Sequence, residues 1–289
     1  MDGKLLALAS SVCFGINPIL IKRGLKNSSS NTAVVVSLIS GWIVLTLSAP
    51  VFGGFQLDKL TVDATIFFVL SGVFGVILGR VTFYWTIEKL GSSRASTVKN
   101  SAPVITTVLA VFVLNESLDL LRWGAIGLVT AGLMLIGRDA NTQAKNRIVW
   151  YRVAPAVLTP LFYGMRPLFS KMGLNLLPLP FTASFVGYSA AVLIYACYFW
   201  IKERDYVDIS NVRSGVWFGL GGILQVVGLV ALYFAYEHSD ISVVYPISAS
   251  APLVTFLLSY TILRNVEKLN LMDLIGTTAV VAGVIMLLN

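Results

Sequence analysis

Apolar residues run along this chain in ten long stretches separated by short polar breaks. The stretches cover 4–25, 32–52, 64–87, 95–114, 120–137, 151–171, 181–201, 213–236, 241–263 and 271–288. Each comes near the roughly 20 residues an α-helix needs to cross about 30 Å of hydrocarbon. Turn-forming residues fill the breaks at 27–31, 53–63, 91–93 and 115–119, and the longest break, 138–150, is polar and basic. The pattern predicts an all-α membrane protein of ten transmembrane helices, divided into 1–137, a polar linker loop at 138–150, and 151–289. The first stretch carries a lysine before its apolar run but no small-x-small cleavage site, and its counterpart at 151–171 is internal. It is therefore expected to be a retained helix rather than a signal peptide.

The two halves repeat each other. Residues 79–103 read GRVTFYWTIEKLGSSRASTVKNSAP and residues 228–252 read GLVALYFAYEHSDISVVYPISASAP. An offset of 149 places Gly79 on Gly228, Tyr84 on Tyr233, Glu88 on Glu237 and Ser101-Ala102-Pro103 on Ser250-Ala251-Pro252. The same offset places Pro18, Lys22, Gly24 and Leu25 on Pro167, Lys171, Gly173 and Leu174. Later the offset becomes 151, matching Glu116 to Glu267 and Gly132 to Gly283. A fixed internal period over most of a chain marks a repeat architecture. Five spans per half is an odd number, so the second half enters the bilayer from the opposite side. The expected arrangement is two inverted five-helix repeats, in which sites lie near the midplane between the repeats.

Composition agrees with the bilayer. Hydrophobic residues make up 56% and charged residues 12%, with a mean hydropathy of +0.82, where a soluble protein has about 25% charged residues. The net charge of +7 is scattered over short loops, which fits a membrane protein and not a nucleic-acid surface. Cys13 and Cys197 sit in apolar runs and are expected as small buried residues. The single histidine, His238, has no metal-ligand neighbours in sequence, and no Walker-type glycine loop occurs. No cofactor or metal is expected. The expected partners are a small-molecule substrate and the lipid bilayer.

The duplicated set resembles the EamA-type repeat of the drug/metabolite transporter superfamily. The set comprises Pro-x-x-x-Lys in the first span, a tyrosine late in the third, Ala-Pro in the fourth, and the pairs Glu116/Gly132 and Glu267/Gly283. The resemblance covers 4–137 and 151–288. Arg166, at the position of Asn17, is its main departure from the pattern. The resemblance implies ten helices and carrier-mediated movement of a small organic metabolite, often outward, in the plasma or inner membrane.

Charges within spans are costly and face the protein interior or a wet cavity. Arg80 and Arg166 lie within spans and Lys99 near the start of one; the acids Glu88, Glu116, Glu237 and Glu267 fall at span ends. A positive interior would draw an anionic or zwitterionic substrate such as an amino acid or organic acid. The competing reading is structural: Lys22 and Lys171 snorkel to the interface, and Arg80 pairs with Glu88 or a carbonyl. Tyr84, one turn after Arg80, together with Asn17, Asn100, Gln225, Tyr233 and Tyr245, completes the candidate binding set, with helix–helix hydrogen bonding as the alternative. Pro18, Pro103, Pro167 and Pro252 are hinge candidates, because a proline within a helix frees the carbonyl four residues back. The pairs Gly75/Gly79 and Gly215/Gly219 predict close helix packing.

Topology and function carry open alternatives. Outside the five cations placed in spans or at their ends, Lys4, Lys59 and Arg122 lie on the side of the termini and the other basic residues on the opposite side. The positive-inside rule then puts the termini outside, whereas the family resemblance implies cytoplasmic termini. A non-transporting receptor or scaffold competes with a carrier. A membrane-embedded enzyme is disfavoured by the lack of central acids or a Ser/His pair.

Overall fold

The computed structural model describes residues 2–90, 99, 101–136, 150–202, 211–251, 253–254 and 271–288. The helices are α1 (Gly3–Gly24), α2 (Ser30–Leu47), α3 (Val62–Ser71), a π-helical segment (Gly72–Leu78), α4 (Gly79–Leu90), α5 (Ala102–Leu114), α6 (Leu120–Ile136), α7 (Trp150–Leu176), α8 (Pro180–Lys202), α9 (Val212–His238), α10 (Ile241–Ala249) and α11 (Leu271–Leu288). The residue preceding a run often closes the helix end itself. Asp2, Ser29, Thr61 and Asn211 each accept a first-turn N–H, for α1, α2, α3 and α9 respectively, satisfying donors that a helix start leaves open.

The chain has the polarity of a membrane protein. Large apolar side chains face outward at four-residue spacing: Ile39, Ile43 and Leu47 on α2, and Val212, Val216 and Leu220 on α9. Small polar residues fill the interior, among them Ser10, Ser37, Ser71, Thr106, Ser170 and Ser248. Interhelical hydrogen bonds use them, as between Ser10 and Ser248 at 2.8 Å, which suits packing where lipid tails already satisfy apolar surface. Among the described residues, helices Gly3–Ile21, Val62–Phe83, Pro180–Tyr198 and Val212–His238 are long and apolar enough to cross a membrane. This is an all-α membrane protein. Cys197 is exposed on α8 beside Leu193, Ile194 and Tyr198, not buried as its apolar run implied.

Packing reproduces the sequence offset with the halves exchanged. Helix α1 packs on α9, and α7 packs on α3, the π segment and α4. Helix α1 also packs on α10, and α7 on α5; α6 pairs with α11. Glycines set these contacts. A Cβ on Gly15 would meet the Ala251 carbonyl and Val254, each at 2.6 Å; on Gly164 it would meet Ile105 at 2.8 Å and the Ala102 carbonyl at 3.2 Å. Gly132 faces the Gly276 carbonyl and Val280, and Gly283 faces the Ala125 carbonyl and Val129. Gly75 and Gly79 also make close contacts, whereas Gly215 and Gly219 have nothing within 4 Å. The expected tight packing at the second pair is absent because that face of α9, with Val212, Val216 and Leu220, points outward.

The prolines divide into two kinds. Helices α1 and α7 run through Pro18 and Pro167 without a break. Pro103 does not kink a helix interior: it lies in the first turn of α5, where a missing N–H costs nothing. Ser101 just before it has φ −83° and ψ −10°. Its repeat mate Ser250, which ends α10, has φ −70° and ψ 1°. Pro252 lies outside the described residues, as does Glu267.

Glu116 ties the α5–α6 turn to the second half. Its Oε1 and Oε2 accept the N–H groups of Ile241 and Ser242, each at 3.1 Å, at the start of α10. Charge-assisted capping of this kind contributes about 1–2 kcal/mol. Glu116→Ala is expected to lower stability by about that amount, read as a drop in thermal midpoint in detergent, while Glu116→Gln should lose less.

Candidate functional site

The site is built at a position where the two halves differ. Asn17 donates from Nδ2 to the Gly221 carbonyl of α9 at 2.6 Å, so it serves helix–helix bonding. Its repeat mate is Arg166 on α7, a longer and charged side chain. The helix facing Arg166 is also altered: the partner of Gly221 is Gly72, which opens the π segment Gly72–Leu78. A π turn is wider than an α turn and is frequent at functional sites. Within it Gly75 makes room, since a Cβ there would fall 1.9 Å from Cδ and 2.6 Å from Cγ of Arg166. The arginine stem lies across the bare backbone of Gly75.

Arg166 and Arg80 are each 6% exposed. Nη1 of Arg80 donates to Oγ of Ser37 on α2 at 3.4 Å. Nε and Nη2 of Arg166 are buried with no hydrogen-bond partner among the described residues. Lys99, just before α5, places Nζ 4.7 Å from the ring centroids of both Phe83 and Tyr163, and the ring faces attract its charge. Lys99, Arg80 and Arg166 lie within electrostatic reach of one another, as do Arg166, Tyr236 and Tyr245. Two acids are engaged elsewhere: Glu116 caps α10, and Glu237 sits 4.0 Å from His238. Among the described residues no group of His, Cys, Asp or Glu could hold a metal ion.

Hydroxyl groups fix the arginine's surroundings. Oγ of Ser170 donates to the Arg166 carbonyl at 3.0 Å and lies 2.7 Å from Oγ of Ser71, which is 2.8 Å from the Tyr233 hydroxyl. Three helices, α7, α3 and α9, meet in that chain. Tyr245 on α10 donates to the Tyr163 carbonyl at 3.2 Å, the carbonyl that Pro167 frees. The Tyr236 hydroxyl is buried without a partner among the described residues.

The sequence candidates thus separate. Arg80, Lys99, Arg166, Tyr233 and Tyr245 gather around one region between the halves. Asn17 is bonded to Gly221, and Gln225 is half-buried on α9. Tyr84 follows Arg80 by one turn of α4. Asn100 lies outside the described residues. Lys171 donates from Nζ to the carbonyls of Tyr236 and Ser239 at the end of α9. Sequence reasoning missed Tyr163, Phe83, Ser71, Ser170 and Tyr236 as site residues and read Gly75 as a packing glycine only. Helical spacing held a signal for two of them, since Ser170 follows Arg166 by four residues and Tyr236 follows Tyr233 by three.

An α-helical membrane protein with buried cations between two exchanged halves is the class these features define. The chain belongs to the EamA-like transporter family, whose model matches residues 1–138 and 153–289. It is 23% identical over 260 residues to an uncharacterized transporter of Helicobacter pylori, covering 85% of this chain and 81% of that one. It is 28% identical over 131 residues to an uncharacterized protein of Methanocaldococcus jannaschii, covering 45% of this chain and 91% of that one. A solved structure, described only as the crystal structure of a protein, shares the fold with a TM-score of 0.76 at 12% identity, covering 98% of this chain and 95% of that one. The protein is therefore a membrane transporter of the drug/metabolite type.

Proposed function

We propose that this chain is a secondary carrier moving a small anionic or zwitterionic organic metabolite, of the amino-acid or organic-acid kind, across the cell membrane. Residues 1–137 and 151–289 form two inverted repeats of five spans each, and the substrate site alternates in access between them. The observation that carries this reading is the grouping of Arg80, Lys99 and Arg166 in the buried interior. Buried cations in a low-dielectric interior are costly, and a substrate of opposite charge offsets that cost. Family membership supports transport, and the exchanged packing of the halves supports alternating access.

The test is uptake into proteoliposomes from labelled amino acids, organic acids and sugar phosphates, with and without a pH gradient. Flux of an acidic or zwitterionic solute is expected, with Arg80→Ala and Arg166→Ala each lowering it by about tenfold or more, the scale of one lost charge-assisted hydrogen bond. Movement of cationic or neutral solutes that is indifferent to both substitutions would overturn the reading.

A further inference from the structure

Among the described residues, Arg166 leaves unsatisfied the two nitrogens that lie on one edge of its guanidinium. Nε–H and Nη2–H project in parallel from the same side of the planar group, forming a two-donor fork. Both atoms are buried and unpartnered, as is the hydroxyl of Tyr236 within electrostatic reach. A buried donor without an acceptor is expensive, and three unpartnered donors within electrostatic reach of one another suit an acceptor with several oxygens.

The neighbouring cations are engaged differently. Lys99 faces the rings of Phe83 and Tyr163, and Arg80 donates to Ser37. The fork of Arg166 matches one planar group bearing two oxygens, the geometry of a carboxylate. A phosphate ester presents three oxygens in a tetrahedral array and a charge near −2, which one planar fork matches less well. We propose that Arg166 receives the carboxylate of the substrate side-on through Nε–H and Nη2–H, with the Tyr236 hydroxyl as a further donor to the same molecule. The π segment is part of this recognition, because Gly75 lets the arginine stem lie flat against the backbone and so sets the direction of the fork. Arg166 is the specificity-determining residue for the acid group, and this rests on the carrier reading above.

The test reads binding and not flux. Full-length protein purified in detergent is titrated with proteinogenic amino acids and short hydroxy- and keto-acids, each against its primary amide and against phosphate esters of similar size. Thermal unfolding is the readout. At least one acid should raise the midpoint while its amide does not. Arg166→Lys keeps the charge but not the fork and should weaken that acid by at least about tenfold. Tyr236→Phe keeps the ring, removes only the hydroxyl, and should weaken it by about tenfold. The unliganded midpoints of both variants report whether they fold. The proposal is overturned if no acid shifts the midpoint, if amides or phosphate esters match the best acid, or if both variants bind it as wild type does. Binding with the expected pattern but no flux in proteoliposomes would sink the carrier reading alone. Flux of solutes lacking a carboxylate would sink this assignment and leave the carrier standing.

Discussion

Gly75→Ala is expected to lower transport about as far as removing Arg166 itself. The added Cβ would occupy the position of the Arg166 stem, 1.9 Å from Cδ and 2.9 Å from Cβ. The first of these atoms can swing aside, but Arg166 Cβ is fixed to the α7 backbone, so the whole side chain must leave its course. Initial flux in proteoliposomes should fall by about tenfold or more, the loss expected of Arg166→Ala. The double variant Gly75→Ala/Arg166→Ala should be no worse than either single change, since both remove the same interaction. Additive losses would show that Gly75 acts elsewhere.

Gly72→Ala is expected to have the largest effect on stability. Its Cβ would fall 1.9 Å from the carbonyl oxygen of Gly187, 2.6 Å from that carbonyl carbon and 2.9 Å from the Gly187 Cα. All three are backbone atoms of α8, so no rotamer change relieves the clash and the two helices must separate. Overpacking of this kind costs about 3 kcal/mol. The thermal midpoint in detergent should drop accordingly. Gly215→Ala is the control: nothing lies within 4 Å of its Cβ, and alanine is favoured over glycine within a helix, so its midpoint should hold or rise.

These two glycines also show where the sequence stops being informative. Apolar length and polar breaks announce the helices, and the offset of 149 announces that contacts repeat, though not that each half packs on the other. Arg80 and Arg166 declare themselves as charges amid apolar residues. The π segment does not. GVFGVIL is equally compatible with an ordinary α-turn, and what its Gly75 meets is the arginine opposite, 91 residues away in the chain. Spacing could not separate Gly75, which touches Arg166, from Gly215, which faces outward, because helical spacing tells which glycines share a face and not what that face meets. Glu116 was visible as a motif residue at a span end, but its acceptors' partners, the N–H groups of Ile241 and Ser242, lie in the other half. Pro103 was visible too, yet whether a proline bends a helix or begins one depends on the turn at Ser101.

Because the glycine contacts are reciprocal, each half offers the other the surface it would offer to a copy of itself. The covalent connection then supplies proximity more than complementarity, turning a bimolecular encounter in the bilayer into an intramolecular one. The Methanocaldococcus relative, 91% of which is matched by 131 residues of this chain, is close to one such unit in length. Fusion does more than raise local concentration. Two identical units would carry either two asparagines or two mutually repelling arginines at related positions. A single fused chain can hold Asn17 in one and Arg166 in the other, and can widen only the turn that faces the arginine. The direction in which the fork points is therefore a property that no pair of identical units could have.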